Sequence, residues 1–333
     1  MKKKKIILSY DYELFFGDKS GTVQKTLIEP TNAILDAMES VGFKGNFFVD
    51  WQMLKYLREA NTERTTNDLM LIVNQLKDII RRGHRIELHI HPHWVDAKYN
   101  GDGTWNFDEF RHYSLNSFNE QEIIEMFVDG ADLLTHIAKE VDPEYKLVAF
   151  RAGGWAVQPF TVLKKAFQKT GILIDSSVMP GLRAVLEHSY YDFTLAPNEE
   201  VGFYRFDEDV CIKSENGEFI EVPISSTPHR LINRVVNKCY SLRGIKCQAK
   251  TDGTHQRLNE SIQDTCESNN SIIPYTLSPI TPLNCLLYLL CDKRELLCYI
   301  DHPKDYSNFT LKGIHYISKF ARSITYKDLL CYV

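Results

Sequence analysis

The stretch Lys5-Ile6-Ile7-Leu8-Ser9-Tyr10-Asp11-Tyr12-Glu13 decides the fold. Lys5 to Ser9 reads as a short apolar strand buried on both faces, and its C-terminal end breaks at once into carboxylates. The same design recurs along the chain. Glu29-Pro30 opens a helix with Ile34, Leu35, Met38 and Val41 at helical spacing, and Gly42 closes it. Gly45 to Val49 is a second strand, Leu69 to Arg82 a helix ended by Gly83, and Arg85 to His91 a third strand. Glu120 to Glu140 is a long helix, Lys146 to Phe150 a fourth strand, Pro159 to Lys169 a helix, and Ile172 to Asp175 a fifth strand. Asp209 to Lys213 and Glu218 to Val222 read as a hairpin around Asn216-Gly217. Glu295 to Asp301 is a late strand before a helix over Leu311 to Arg322. Alternation of this kind means parallel pairing, in a doubly wound sheet or a barrel.

Composition narrows the class. The 333 residues are 44% hydrophobic and 25% charged, so the chain is globular and long enough for a large core. A net charge of −5 sets nucleic-acid binding aside as a main role. Lys2 to Lys5 precede only Ile6-Ile7-Leu8, too short for a signal peptide, and the apolar run Leu283 to Leu290 is too short to span a bilayer. A cytoplasmic protein without a transmembrane segment is expected. The eight cysteines all follow position 210 and form no CxxC pair, so they read as free thiols. One domain over 1–333 is expected, with a polar insertion at about 243–278.

Polar residues gather where the strands end. Strand one ends in Asp11-Tyr12-Glu13, strand three in His89-Ile90-His91-Pro92-His93, and strand four in Arg151-Ala152-Gly153-Gly154-Trp155. Strand five ends in Asp175-Ser176-Ser177 and the late strand in Asp301-His302-Pro303. In parallel α/β barrels those ends converge on one face, which holds the site. Three histidines at alternate positions share a face only while the strand continues, and Pro92 ends it. Two of the three then reach one cation while the third turns away, and a carboxylate from strand one completes an open, catalytic metal geometry. Of Asp11 and Glu13, one ligates and the other accepts a proton from water. Arg151, after the apolar Phe150, needs an anion, and a bidentate pair with Asp11 supplies one. His302 is a candidate general acid, with Asp175 as a partner that raises its pKa.

These five segments, in this order, resemble the motifs of the polysaccharide deacetylase family, carbohydrate esterase family 4. Ser9-Tyr10-Asp11-Tyr12-Glu13 stands for its Thr-Phe-Asp-Asp, and His89 with His93 for its His-Ser/Thr-x-x-His. Phe150 to Trp155 matches its third motif, Asp175-Ser176-Ser177 its fourth, and Ile300-Asp301-His302 its fifth. The family's metal aspartate falls on Tyr12, so Glu13 takes that role as in the branches with Asp-x-Glu spacing. The resemblance implies an irregular (β/α)7-type barrel and a hydrolase that removes an N-acetyl or other N-acyl group from an amino sugar. An alternative is an inactive carbohydrate-binding member of the same fold. It further implies a divalent metal, Zn²⁺, on Glu13, His89 and His93, with His91 outside the ligand set. Asp11 held by Arg151 is then the base and His302 tuned by Asp175 the acid. Backbone N–H groups near Gly154 and Trp155 serve the oxyanion, and Trp94, Trp155 and Tyr12 offer flat faces to a sugar.

Overall fold

Strand β1 (Lys4–Tyr12) is buried from Ile6 onward and takes three parallel partners. Strand β2 (Gly45–Asp50) runs beside Leu8–Tyr12, and β9 (Ala321–Ser323) takes Lys4–Ile6 along the same edge. Strand β8 (Leu296–Asp301) lines the other edge from Lys5 to Tyr10. The sheet continues from β2 in parallel through β3 (Arg85–Ile90), β4 (Ala149–Ala152), β5 (Ile174–Asp175) and β7 (Phe219–Glu221). Antiparallel β6 (Tyr204–Phe206) closes that side. The computed structural model describes residues 3–109, 111–186, 189–228, 231–255 and 272–332.

The sheet curls into a barrel-like trough. Past β7, the Ser225 N–H donates to the Cys298 carbonyl at 2.9 Å and the Cys298 N–H to Ser225 Oγ at 3.0 Å, which brings the far side of the sheet back to β8. Period-two alternation sorts the strand residues. Ile7, Phe48, Ala149, Ile174, Ile220 and Cys298 share one buried cluster, the floor of the lumen. Ile6, Leu8, Tyr10 and Tyr12 belong instead to the larger cluster beneath the outer helices α1 (Glu29–Ser40), α3 (Glu63–Arg81) and α4 (Glu120–Lys139). Helices α3 and α4 each begin in a capping box, Thr62 with Thr65 and Asn119 with Glu122, which satisfies free N–H groups at their first turns.

The expected α/β barrel of parallel strands stands, and several local expectations are corrected. The helix expected from Leu69 begins at Glu63, because the Thr62 cap lies about two polar turns ahead of the apolar pattern. Helix α2 (Trp51–Ala60) follows β2 without a linker and lacks a side-chain cap to announce it. The expected late helix divides into α8 (Thr310–Ser318) and strand β9. The expected hairpin is displaced: Phe219–Glu221 pairs with Tyr204–Phe206, while Asp209–Lys213 is turn. There the Asp209 carboxylate accepts the Cys211 N–H at 2.8 Å, a local bond that competes with a ladder. The described cysteines are free, as expected, and Cys266 lies outside the described residues.

Phe127 of α4 is fully buried, 4.5 Å from the Phe150 ring of β4 and 5.7 Å from that of Phe167 on helix α5 (Lys164–Thr170). Phe127→Ala is expected to lower unfolding free energy by about 3–5 kcal/mol, read as a lower urea midpoint with an unchanged slope.

Candidate metal centre and cleft

The inner column of β1 climbs from Ile7 through Ser9 to Asp11 and, beyond the strand, Glu13. On β3 the same column carries Glu87, His89 and then His91, which stays extended (φ −111°, ψ 89°) past the strand end. Pro92 then opens a 3₁₀ turn over Pro92–Asp96 that carries His93 off the column. The structure therefore brings Glu13 together with His89 and His91, and His93 is not part of that group. Glu13 Oε2 lies 3.0 Å from His89 Nε2 and 2.5 Å from His91 Nε2. His93 is buried between Phe16 and Tyr113, with ring centroids 4.1 and 5.4 Å away and neither nitrogen hydrogen-bonded. Burial pushes its pKa well below the usual range, so it is a neutral aromatic wall.

The donor set fits a metal cation. His89 Nδ1 donates to the Arg151 carbonyl at 2.7 Å, so in the neutral ring Nε2 carries a lone pair aimed at Glu13. Two acceptors that close need a proton or a cation between them. Burial pushes His91 down to about 4, which leaves that ring neutral as a ligand must be. Burial alone raises Glu13, but His91, Lys304 and His89 outweigh it and hold the carboxylate ionised. All three side chains are buried, and their ligand atoms lie within 4.8 Å of one another.

Lys304 was not anticipated. Its ammonium is buried, 2.6 Å from Glu13 Oε1 and 3.3 Å from the Leu14 carbonyl. Each oxygen of Glu13 thus has its own cationic or imidazole partner.

Asp11 meets Arg151 as expected, but by one bond rather than two. Arg151 Nη1 donates to Asp11 Oδ1 at 2.5 Å. Nη2 turns to Ser9 Oγ at 2.8 Å and Ser176 Oγ at 3.2 Å, and Nε donates to the Ser176 carbonyl at 2.7 Å. Burial raises the Asp11 pKa, yet Arg151, His89 and His302 together bring it below the ordinary carboxylate range. His302 Nε2 faces Asp11 Oδ2 at 3.4 Å, and its Nδ1 meets Asp305 Oδ2 at 3.1 Å. Burial lowers His302, but Asp11 and Asp305 prevail and push it up to about 10, so the ring carries a proton at neutral pH.

The partner of His302 is thus Asp305 and not Asp175. Asp175 accepts the Ser177 N–H at 3.0 Å and hydroxyl at 2.8 Å, and Ser177 Oγ accepts the Ala152 N–H at 2.9 Å. It props up the turn after β4. Two expected sugar-facing rings are corrected as well. Trp94 is wholly buried, its Nε1 donating to Asp50 Oδ2 at 2.5 Å, and Tyr12 is buried with its hydroxyl on Gln75 at 2.7 Å. Trp155 does line the cleft. It and Gly154 both have positive φ, 59° and 58°, and a Cβ on Gly154 would meet the Tyr113 hydroxyl at 2.6 Å.

The cleft above these groups holds about 340 Å³, walled by Phe16, Tyr113, Trp155, Tyr191 and His255. His255 comes from the polar stretch after Arg243, whose described start is tied down on two sides. Asp252 accepts from Thr22 N, Thr22 Oγ1 and Thr26 Oγ1 at 2.8–3.0 Å, and Thr251 donates to the Lys304 carbonyl at 2.6 Å. His255 Nε2 then reaches Asp305 Oδ1 at 2.6 Å. A line of contacts results, from His255 through Asp305 and His302 to Asp11.

No protein-family model matches the chain, and no curated protein is similar to it in sequence. Solved structures are similar in fold. A 4-α-glucanotransferase from Thermococcus litoralis gives a TM-score of 0.53 at 12% identity over 100% of this chain and 41% of its own. A protein assigned to the polysaccharide deacetylases from Mycobacterium smegmatis gives 0.47 at 13%, over 100% and 91% of the two chains. The catalytic domain of a peptidoglycan N-acetylglucosamine deacetylase from Eubacterium rectale gives 0.33 at 11%, over 97% and 89%. At such identities the likeness is one of fold alone. The curled, mostly parallel sheet with helices outside it has the form of an α/β barrel. Among the described residues no helix is long and apolar enough to cross a membrane.

Behind Asp175 lies a second buried carboxyl, Glu221, whose pKa burial and Asp175 raise well above the usual range. Between its unfolded and folded pKa values the native state binds the extra proton, so stability falls as pH rises through that window. Glu221→Gln is expected to remove this loss. Thermal melts from pH 5 to 8 should then show a flatter profile than wild type, and an equally steep one would clear Glu221 of the effect.

Proposed function

We propose that the chain is a metal-dependent hydrolase that removes an N-acetyl or related N-acyl group from an amino sugar or glycan precursor. The observation that carries the reading is the pairing, across one cleft, of a Glu13–His89–His91 donor set with Asp11 and protonated His302. Glu13, His89 and His91 would hold a divalent cation, Zn²⁺ by the chemistry of the donors, which would supply a Lewis acid for the amide carbonyl and lower the pKa of water. Asp11, ionised and oriented by Arg151, takes the proton of the attacking water. His302, held by Asp305, gives its proton to the departing amine. Backbone N–H groups of the Gly154–Trp155 turn face the developing oxyanion, and Trp155 and Tyr191 offer ring surface to the sugar. A cleft of this size accommodates a small glycoside.

A second reading has one observation in its favour. Lys304 already places a cation on Glu13, which suits a carbohydrate-binding protein that needs no metal. Metal analysis separates the two. After zinc loading and dialysis, the hydrolase reading expects about one equivalent in wild type and in His93→Ala, and little in Glu13→Ala or His91→Ala. Loss in His93→Ala with retention in His91→Ala would restore the ligand set expected from the sequence resemblance.

Activity is tested by acetate release from a panel of N-acetylated sugars. Asp11→Asn is expected to keep its metal and lose about two to four orders of magnitude in kcat. His255→Ala removes both the contact to Asp305 and one wall of the cleft, and should lower kcat by roughly tenfold, of which His255→Gln should recover most. A full-rate Asp11→Asn variant would remove the base from this scheme.

A further inference from the structure

Helix α6 (Leu231–Leu242) buries Val236 but also turns apolar side chains to water. Its inward side carries buried Asn233, and Asn284 of the neighbouring helix α7 (Pro282–Cys291) donates to Asn237 Oδ1 at 2.8 Å. Its outward side carries Leu231, Val235 and Leu242, exposed by 78, 60 and 78%. At 3.6 residues per turn those three fall within about 40° of one another on a face turned to water, with exposed Lys238 interleaved between Val235 and Leu242. Arg234 borders the face, and Arg243, exposed Ile245 and Lys246 extend it beyond the helix. From Val222 to Thr251 the chain contains no Asp or Glu and six Lys or Arg, in a protein whose net charge is −5.

We propose that this face docks on an anionic lipid bilayer, with the leucines in the headgroup boundary and the basic residues against lipid phosphates. Apolar side chains bordered by cations, on a helix too short to span, are what an interfacial helix requires. The charge argues against a second copy of this chain, because a two-fold contact would set Arg234, Lys238 and Arg243 against their own counterparts. The three-residue stripe also falls short of the roughly 1,200 Å² that a stable dimer buries.

The test is flotation of the full-length protein with vesicles of phosphatidylcholine alone or with about 30% phosphatidylglycerol, at low and high salt. Binding is expected only to the anionic vesicles, and high salt should weaken it. The triple variants Arg234→Glu/Lys238→Glu/Arg243→Glu and Leu231→Ser/Val235→Ser/Leu242→Ser should each lower partitioning by at least about tenfold. Circular dichroism melts like wild type would show that both still fold. Equal partitioning into both vesicle types, no binding to either, or unchanged binding in either folded variant would overturn the proposal. So would a concentration-dependent dimer in solution that the serine variant abolishes, which would assign the face to a second copy.

Discussion

A guanidinium with no solvent exposure sits in the lumen beneath the site, and the upper half of the barrel is arranged around it. Arg151 spends its donors on Asp11, Ser9 and the carbonyl and hydroxyl of Ser176, and its plane lies 4.3 Å from the centroid of Phe48. An unpaired charge at that depth costs several kcal/mol, so each partner is a condition of folding as well as of chemistry. Three segments must hold register at once: β1 for Ser9 and Asp11, β4 for Arg151, and the chain after β5 for Ser176. The Arg151 carbonyl also orients His89, so one residue couples the base and the metal ligands. A barrel built this way cannot shift one strand without disturbing both.

Much of this was legible because period-two alternation is a strong signal. An apolar strand ending in Asp11-Tyr12-Glu13 announces that the residues after Ile7 and Ser9 on the same face are the polar ones, and the structure puts them there. Strand ends rich in His, Arg and Asp then predict a common face. What did not show was anything set by contact across the fold. His255 reaches Asp305 only because Asp252 and Thr251 latch this polar stretch to residues 22–26 and to Lys304, and no local pattern marks that. Lys304 likewise reads as a surface lysine in Pro303-Lys304-Asp305 until β8 sets it over Glu13.

The choice between His91 and His93 shows where motif matching and geometry part. The four-residue spacing of His89 and His93 fits the motif, and on a continuing strand the two would share one face. Here the chain stays extended through His91, and the turn at Pro92 begins one residue later. Alternation therefore delivers His91 to the inner column. The same proline sends His93 among Phe16, Phe107 and Tyr113, where burial keeps it neutral. Asp305 displaces Asp175 for a similar reason. A 3₁₀ turn after His302 returns the chain within three residues, whereas Asp175 is already engaged by Ser177 and pressed against Glu221.

Charge balance ties these corrections together. Asp11, Glu13 and Asp305 are held ionised, and Arg151, Lys304 and protonated His302 stand against them, with His91 neutral. These six charges cancel before any ion enters, and, against its burial, Asp11 and Glu13 also raise the pKa of His89, so a proton there competes with a metal. A divalent cation on Glu13 must share that carboxylate with the Lys304 ammonium, whose repulsion inside a protein is far stronger than it would be in water. The cluster therefore admits the metal most easily when Lys304 swings off Glu13 or a negatively charged group joins the cation. Lys304 is thus the residue on which the catalytic and the carbohydrate-binding readings of this barrel divide.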